Sequence, residues 1–116
     1  MALLEYMALM DSDDPTRALG QLDPQINYLL ALPGNAIRGS SREDFADYIA
    51  NRRPNERVHH VLKHHLDGDV EFVYGVVTEH GVTTGAFLSA ARLNADGKIV
   101  RYHSSFDTDL VVTDLP

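Results

Sequence analysis

The chain has 116 residues, 44% of them hydrophobic and 23% charged, which is the balance of one compact globular domain and excludes a two-domain enzyme or a disordered chain. Ten basic and 17 acidic residues give a net charge of −7, so we expect no nucleic-acid partner. The absence of cysteine excludes disulfides and thiolate nucleophiles. Without a long apolar run or a basic leader, we expect a cytoplasmic protein and no membrane partner.

The first third of the chain predicts two helices and a strand. Apolar residues recur at helical spacing over 3–10, and the pattern stops in an acidic run before Pro15. Because proline suits the first helical position, a short second helix is predicted over 16–22. The apolar run 26–32 ends at a Pro-Gly-Asn sequence, which favours a buried strand followed by a turn.

The rest of the chain predicts a third helix and then strands. Ser40 or Ser41 caps the helix, which runs to about Arg53. Segment 57–66 fits both an amphipathic helix and one face of a strand, so its pattern alone leaves both open. Turn residues then separate three antiparallel strands, predicted over 70–78, 82–93 and 98–106.

Helices followed by a meandering sheet indicate an α+β domain, with the helices on one face of a curved antiparallel sheet. The first of the last three strands is apolar on both faces, as the run 72–77 shows. A sheet face in contact with water usually alternates apolar with polar residues, so something must cover the second face. We therefore expect a homodimer formed through the outer face of the sheet.

Three stretches carry a resemblance to a known family by their order and spacing. They are Tyr6-Met7-Ala8-Leu9-Met10-Asp11 with Asp14, Leu32-Pro33-Gly34 with Gly39-Ser40, and Asp96-Gly97-Lys98-Ile99-Val100-Arg101-Tyr102 leading into Ser105-Phe106-Asp107. Together they resemble the nuclear transport factor 2-like (NTF2-like) superfamily, in its SnoaL-like and ketosteroid-isomerase-like branches. The resemblance spans nearly the whole chain and implies a single domain over residues 1–116, with segment 57–66 as a strand.

The fold implied by the resemblance is a cone-shaped curved antiparallel sheet wrapped around N-terminal helices, a cystatin-like roll with an apolar pocket at one end. Relatives isomerise, cyclise or dehydrate hydrophobic molecules, generally without a cofactor, and many are only binding or assembly modules. The resemblance thus implies a cofactor-independent isomerase, cyclase or dehydratase acting on a small hydrophobic carbonyl or hydroxyl compound. The alternative is a non-catalytic module of the same fold that binds a hydrophobic ligand or dimerises, because a fold does not fix a function.

Tyr6 is the first candidate catalytic residue. It matches the helix-borne tyrosine with which the isomerases hydrogen-bond a developing oxyanion, although it could equally be a core tyrosine. The carboxylate base that these isomerases carry on their first strand is missing, since Leu30 and its aliphatic neighbours occupy that position. Their second carboxyl group falls near Ser89, which is a weaker donor.

His60 is the second candidate catalytic residue, and it belongs to a segment with four of the six histidines. Strand alternation places His60 on the face of Val58 and Leu62, opposite to His59. A histidine inside an apolar cone suits general acid or base catalysis near neutral pH. The competing interpretation is a structural or solvent-facing histidine.

The expected ligand-binding residues lie mainly on the faces that the resemblance assigns to the pocket. On the last strand, alternation puts Tyr102, Ser104 and Phe106 on one face. Polar contacts and an apolar wall together are typical of small-molecule sites. The full expected set is Tyr28, Leu30, Leu62, Ser89, Tyr102, Ser104 and Phe106, around a small hydrophobic molecule.

No metal site or cofactor is expected. On a strand, His60 and His64 would stand roughly 13 Å apart, which is too far for one shared metal. The acidic cluster of Asp11, Asp13 and Asp14 lacks the spaced ligands of a calcium loop, and helix capping explains it better.

Overall fold

A computed structural model describes residues 1–52 and 57–116 of the chain. The elements in chain order are helix α1 (Ala2–Met10), a 3-10 helix (Pro15–Gln21), strands β1 (Leu22–Leu32) and β2 (Asn35–Gly39), helix α2 (Arg42–Asn51), and strands β3 (Arg57–Asp67), β4 (Val70–Glu79), β5 (Val82–Leu93) and β6 (Ile99–Asp107). Segment 57–66 is thus a strand, and the three later strands are confirmed.

The six strands form one curved sheet in the order β2-β1-β6-β5-β4-β3. All neighbouring strands are antiparallel except β1 and β6, which run parallel. The expected α+β class with a curved sheet is confirmed, but the sheet is mixed rather than wholly antiparallel. The parallel pair arises because the meander β3 to β6 starts at the far edge and returns to the middle, where β6 lies beside β1.

The helices begin where the capping residues predict. The Ser41 side chain accepts a hydrogen bond from the backbone N–H of Asp44 at 3.0 Å, and that of Asp14 accepts one from Thr16 at the start of the 3-10 helix. The second predicted helix is therefore confirmed in place, although it is a 3-10 helix. The predicted end of α2 at Arg53 lies outside the described residues. No helix in the described ranges is long and apolar enough to cross a membrane.

Strand β2 follows the Pro-Gly-Asn turn, where the sequence predicted no further strand. Gly34 takes φ +71°, a conformation that favours glycine, and this turn folds the chain back onto β1. Tyr28 pairs with Gly39 across the hairpin, and its ring covers the glycine so closely that a Cβ atom there would collide with it. The hairpin forms one edge of the sheet.

The core lies between the helices and the concave face of the sheet. Its fully buried side chains come from both helices and from strands β1, β4 and β6, and they include Leu3, Leu22, Ile26, Phe45, Val73 and Ile99. This arrangement places the helices inside the curve of the sheet.

A buried carboxylate attaches helix α1 to the sheet. Glu71 on β4 is fully buried, and its Oε1 accepts a hydrogen bond from the backbone N–H of Leu3 at 3.0 Å. Its Oε2 lies 2.8 Å from Nε2 of His64 on β3. The first N–H groups of a helix lack partners within the helix, and the carboxylate accepts a hydrogen bond from one of them. Its negative charge also interacts favourably with the positive end of the helix dipole.

The outer face of the sheet is partly covered by the C-terminal segment 108–116 of the same chain. The Tyr74 hydroxyl accepts hydrogen bonds from the backbone N–H groups of Val112 and Thr113 and donates one to the carbonyl of Thr113, at 2.9 to 3.1 Å. Phe72 and Leu88 on the same face are 42% and 61% exposed. Association of two copies through this face stays a prediction.

Candidate functional site

A cavity of about 460 Å³ lies between α1, the end of α2 and the concave face of the sheet. This volume is within the range of small-molecule pockets, roughly 300–1,000 Å³. The apolar part of its lining includes Met10, Leu30, Leu32, Ile37, Val77, Phe87 and Phe106. The polar part consists of Tyr6, Tyr48, Asn51, Arg52, Arg57, His59, Tyr102 and Ser104.

His59 and Asp11 form a hydrogen-bonded pair at the wall of this cavity. Nδ1 of the His59 ring lies 2.7 Å from Oδ1 of Asp11, and the backbone N–H of His59 donates to Oδ2 at 2.7 Å. An ionised carboxylate only accepts hydrogen bonds, so the neutral ring carries its proton on Nδ1 and keeps the Nε2 lone pair. The ring edge packs on Phe87, with centroids 5.2 Å apart. The pair therefore presents a fixed imidazole base.

The elements that hold this pair are the end of α1 and the start of β3. Asp11 is the first residue after α1, and its backbone N–H closes the end of the helix by donating a hydrogen bond to the carbonyl of Met7. His59 is opposite Val77 in the β3–β4 ladder, and Val77 also lines the cavity. Both partners are thus fixed by secondary structure, which orients the ring.

Tyrosine and serine hydroxyls gather inside the cavity. The rings of Tyr6 and Tyr102 pack edge to face, with centroids 5.3 Å apart, and Ser89 Oγ lies 2.8 Å from Ser104 Oγ. Burial is the largest cause that raises the pKa of Tyr102, whereas the neighbouring hydroxyls of Ser104, Ser89 and Tyr6 lower it in part. These hydroxyls surround the Tyr102 oxygen, and Tyr102 itself lines the cavity.

Tyr6 is held neutral more strongly than Tyr102. Burial is the largest cause that raises the Tyr6 pKa well above its ordinary value of 10.0, and the neighbouring Tyr102 and Tyr48 raise it further. The positive charge of Arg52 acts in the opposite direction. Both phenols are therefore protonated hydrogen-bond donors at neutral pH.

The raised pKa of Tyr6 predicts a loss of stability in alkali. In the unfolded chain Tyr6 ionises near pH 10.0, whereas in the folded chain it stays protonated. Its contribution is thus complete below about pH 10 and is lost as the pH rises further. Urea unfolding of wild type and Tyr6→Phe from about pH 8 to 11 measures this. The wild type should lose more free energy of unfolding above pH 10, and parallel pH curves would contradict the assignment.

The expected placement of His60 is corrected by the structure. Its Nε2 lies 2.8 Å from Oγ1 of Thr78, on the outer face of the sheet, so His60 does not line the cavity and its neighbour His59 does. The reason is that β3 is an edge strand whose apolar residues do not mark a buried face: Val58 is 46% and Val61 38% exposed. The proposed catalytic role of His60 loses its geometric basis.

A bulge also separates the two halves of β3. Val61 pairs with Gly75 and Lys63 with the next residue, Tyr74, so Leu62 between them has no partner in the ladder. Leu62 does not line the cavity. Alternation counted through this point assigns the later residues to the wrong face.

The structure brings together five of the remaining expected residues and leaves out two. Tyr28 packs its ring on Phe45, with centroids 4.8 Å apart, and Ser89 lies buried behind Ser104. Neither lines the cavity. Those that do are Tyr6, Leu30, Tyr102, Ser104 and Phe106.

Asp11 and Arg52 are the main site residues that sequence analysis missed. Asp11 was grouped with the capping aspartates, but only Asp14 of that cluster caps the next helix. The available signal was that Asp11 directly follows Met10, which faces the core. Arg52 ends α2, where a basic residue is usually explained by the helix dipole. Nothing in the described part of the chain groups three His, Asp or Glu side chains as a metal site would need.

The sequence matches no family model and no curated protein. Solved structures do match by shape. A proposed isomerase of the SnoaL-like family from Agrobacterium tumefaciens has a TM-score of 0.74 at 16% identity, over 91% of this chain and 94% of that one. A proposed polyketide cyclase from Sinorhizobium meliloti has a TM-score of 0.69 at 17% identity, over 89% and 92%.

A third structure is a protein from Catenulispora acidiphila with a ketosteroid-isomerase-like fold, in complex with trimethylamine. It has a TM-score of 0.73 at 12% identity, over 89% of this chain and 82% of that one. At such identities the likeness concerns the fold. The chain therefore has the fold of the NTF2-like superfamily, in the form found in SnoaL-like and ketosteroid-isomerase-like proteins.

Proposed function

We propose that the chain is a cofactor-independent isomerase, cyclase or dehydratase that acts on a small hydrophobic carbonyl compound. The reaction begins with removal of a proton from the carbon next to the carbonyl group. The observation that carries the proposal is the His59 ring, held by Asp11 at 2.7 Å with its Nε2 lone pair left over, in the wall of an apolar cavity. An imidazole nitrogen with a lone pair can accept a proton from the carbon next to a carbonyl.

Each step of this chemistry has a residue to perform it. His59 Nε2 takes the proton from carbon, and the electron pair moves onto the carbonyl oxygen to form an enolate. Tyr102 donates a hydrogen bond to that oxygen, and a donor in a dry cavity stabilises the growing charge strongly. The protonated His59, stabilised by Asp11, then returns its proton to another carbon in an isomerisation or to a departing hydroxyl in a dehydration.

The histidine replaces a carboxylate that the fold could have carried. Leu30 lines the cavity at the position where the resemblance expects the base of a ketosteroid isomerase. The proposal therefore concerns the class of reaction and does not extend to a steroid substrate. Two of the similar structures, named as a proposed isomerase and a proposed polyketide cyclase, support that class.

Exchange of protons in heavy water tests the proposal without a known substrate. We expect the protein to accelerate exchange of the α-protons of 2-tetralone, a small apolar ketone, by on the order of 10²-fold over buffer, measured by proton NMR. His60→Asn is the matched control, because His60 is the adjacent histidine on the outer face, and it should leave the rate unchanged. Exchange at the buffer rate in the wild type, or slower exchange in His60→Asn than in the wild type, would contradict the proposal.

A second candidate function is the binding of a hydrophobic ligand without catalysis. The apolar lining, and Leu30 in place of a carboxylate, favour it. The same samples separate the two functions, since saturable binding of 2-tetralone without exchange would identify a binding module.

A further inference from the structure

Among the described residues, the charged side chains that line the cavity all have the same sign. The chain as a whole is acidic, with 17 Asp and Glu against 10 Lys and Arg. Among the described residues that line the cavity, however, Arg52 and Arg57 carry charge and no Asp or Glu is present. Both carboxylate oxygens of Asp11, which holds the cavity residue His59, are occupied by the ring and the backbone N–H of that histidine. The cavity is thus a local exception to the charge of the molecule.

Arg52 is held in the wall of the cavity by contacts with the ends of both helices. Its backbone N–H donates to the carbonyl of Ile49 at the end of α2, and its Nη2 donates to the carbonyl of Met10 at 3.3 Å. The contact spans 42 residues of sequence and joins the ends of both helices. A guanidinium has five N–H donors, and this contact uses one of them. The charge of Arg52 also reaches Tyr6, where it partly offsets the rise of the pKa caused by burial.

The two arginines differ in how far their charge is compensated. Arg57 Nε lies 3.1 Å from Oε1 of Glu79, and both side chains are well exposed, so that pair is neutral overall and screened by water. Arg52 forms no ion pair with a described carboxylate, and the acceptor it does contact is a neutral carbonyl. Of the two described arginines that line the cavity, Arg52 is therefore the one whose charge is available to a ligand.

We infer that the ligand of this cavity is an apolar molecule that carries a carboxylate, and that Arg52 binds this carboxylate. The inference rests on the proposed function, whose site it shares. Arg52 holds the acid group, while the apolar body extends along Met10 and Phe87 and the far end of the ligand reaches Tyr102. Guanidinium and carboxylate match in shape and form paired hydrogen bonds, so the ion pair also fixes the orientation of the ligand.

A pair of probes that differ only in charge tests the inference. We choose 1-naphthaleneacetate and 1-naphthaleneacetamide, which have nearly the same size, and measure binding to the whole chain by isothermal titration calorimetry. The acid should bind on the order of tenfold more tightly than the amide. Raising the salt concentration from about 50 to 500 mM should reduce that preference, because salt screens charge pairs near the surface.

Arg52→Gln should remove the preference. It should weaken binding of the acid about tenfold and change the affinity for the amide less than twofold. Arg38→Gln, a change on the outer face, is the matched control and should keep the preference. Equal affinities for acid and amide in the wild type would overturn the inference. An equal loss of affinity for both probes in Arg52→Gln would also overturn it. If acid and amide bind equally while the protein still accelerates proton exchange of 2-tetralone, the proposed function stands, but the inference of a carboxylate ligand is overturned. If neither probe binds and 2-tetralone does not exchange, both fail.

Discussion

Replacement of Asp11 by asparagine is expected to slow the exchange of 2-tetralone protons by on the order of 10²-fold, although the fold is kept. The two carboxylate oxygens accept hydrogen bonds from two donors of one residue, the ring Nδ1–H and the backbone N–H of His59. An asparagine offers one oxygen and one NH₂ group, so it must turn its NH₂ group toward one of these positions.

The backbone of His59 cannot change its role, but the ring can. A backbone N–H is always a donor, so the asparagine oxygen goes to it and the NH₂ group faces Nδ1. Nδ1 then accepts, and the ring proton moves to Nε2, which is the atom that must act as the base. Asp11→Asn thus keeps the imidazole in place and removes its free lone pair.

Ring nitrogen NMR and proton exchange together measure this effect. In protein labelled with ¹⁵N at histidine, the protonated nitrogen of His59 should change from Nδ1 to Nε2 in Asp11→Asn. His59→Asn, which removes the base itself, should reduce exchange at least as far. Asp14→Asn is the control, because Asp14 caps the 3-10 helix away from the cavity. An Asp11→Asn protein that keeps the Nδ1 proton, or exchanges within twofold of wild type, would contradict the role of Asp11.

Sequence patterns predicted the parts of the fold that rest on local signals or on burial of one strand face. Alternation put Tyr102, Ser104 and Phe106 on one face, and the resemblance assigned that face to the pocket. All three line the cavity, because β6 lies in the middle of the sheet, where one face packs on the core and alternation holds. The cap at Ser41 is a contact within one turn of helix, so three residues were enough to find it.

The rest of the site depends on contacts that no local pattern contains. Asp11 and His59 are 48 residues apart, and their meeting depends on where α1 ends against β3. The sequence of β3 shows apolar residues on both faces, and the bulge at Leu62 changes which face they take. Strand β2 was missed because it is short and exists only as a partner of β1.

Gly75→Ala is expected to lower the free energy of unfolding by about 3 kcal/mol, which is the upper end of the cost of overpacking a core. Gly75 lies on β4 opposite Phe87. A Cβ atom there would collide with the carbonyl oxygen of His60 and lie 2.6 Å from Cζ of Phe87. The first obstacle is backbone, so it cannot rotate away as a side chain could. We expect the melting temperature to fall by about 10 °C or more.

The collision also reaches the candidate base, because the His60 carbonyl follows His59 in the chain and Phe87 packs on the His59 ring. Gly75→Ala should therefore reduce proton exchange even at temperatures where the protein remains folded. Gly20→Ala is the matched control: apart from its chain neighbours, no atom of the described residues lies within 4 Å of a Cβ at Gly20, so this change should be neutral or slightly stabilising. Thermal unfolding and exchange measured on both variants separate the two effects. If Gly75→Ala were as stable as Gly20→Ala, β3 and β4 could not approach each other as closely as the position of His59 in the cavity requires.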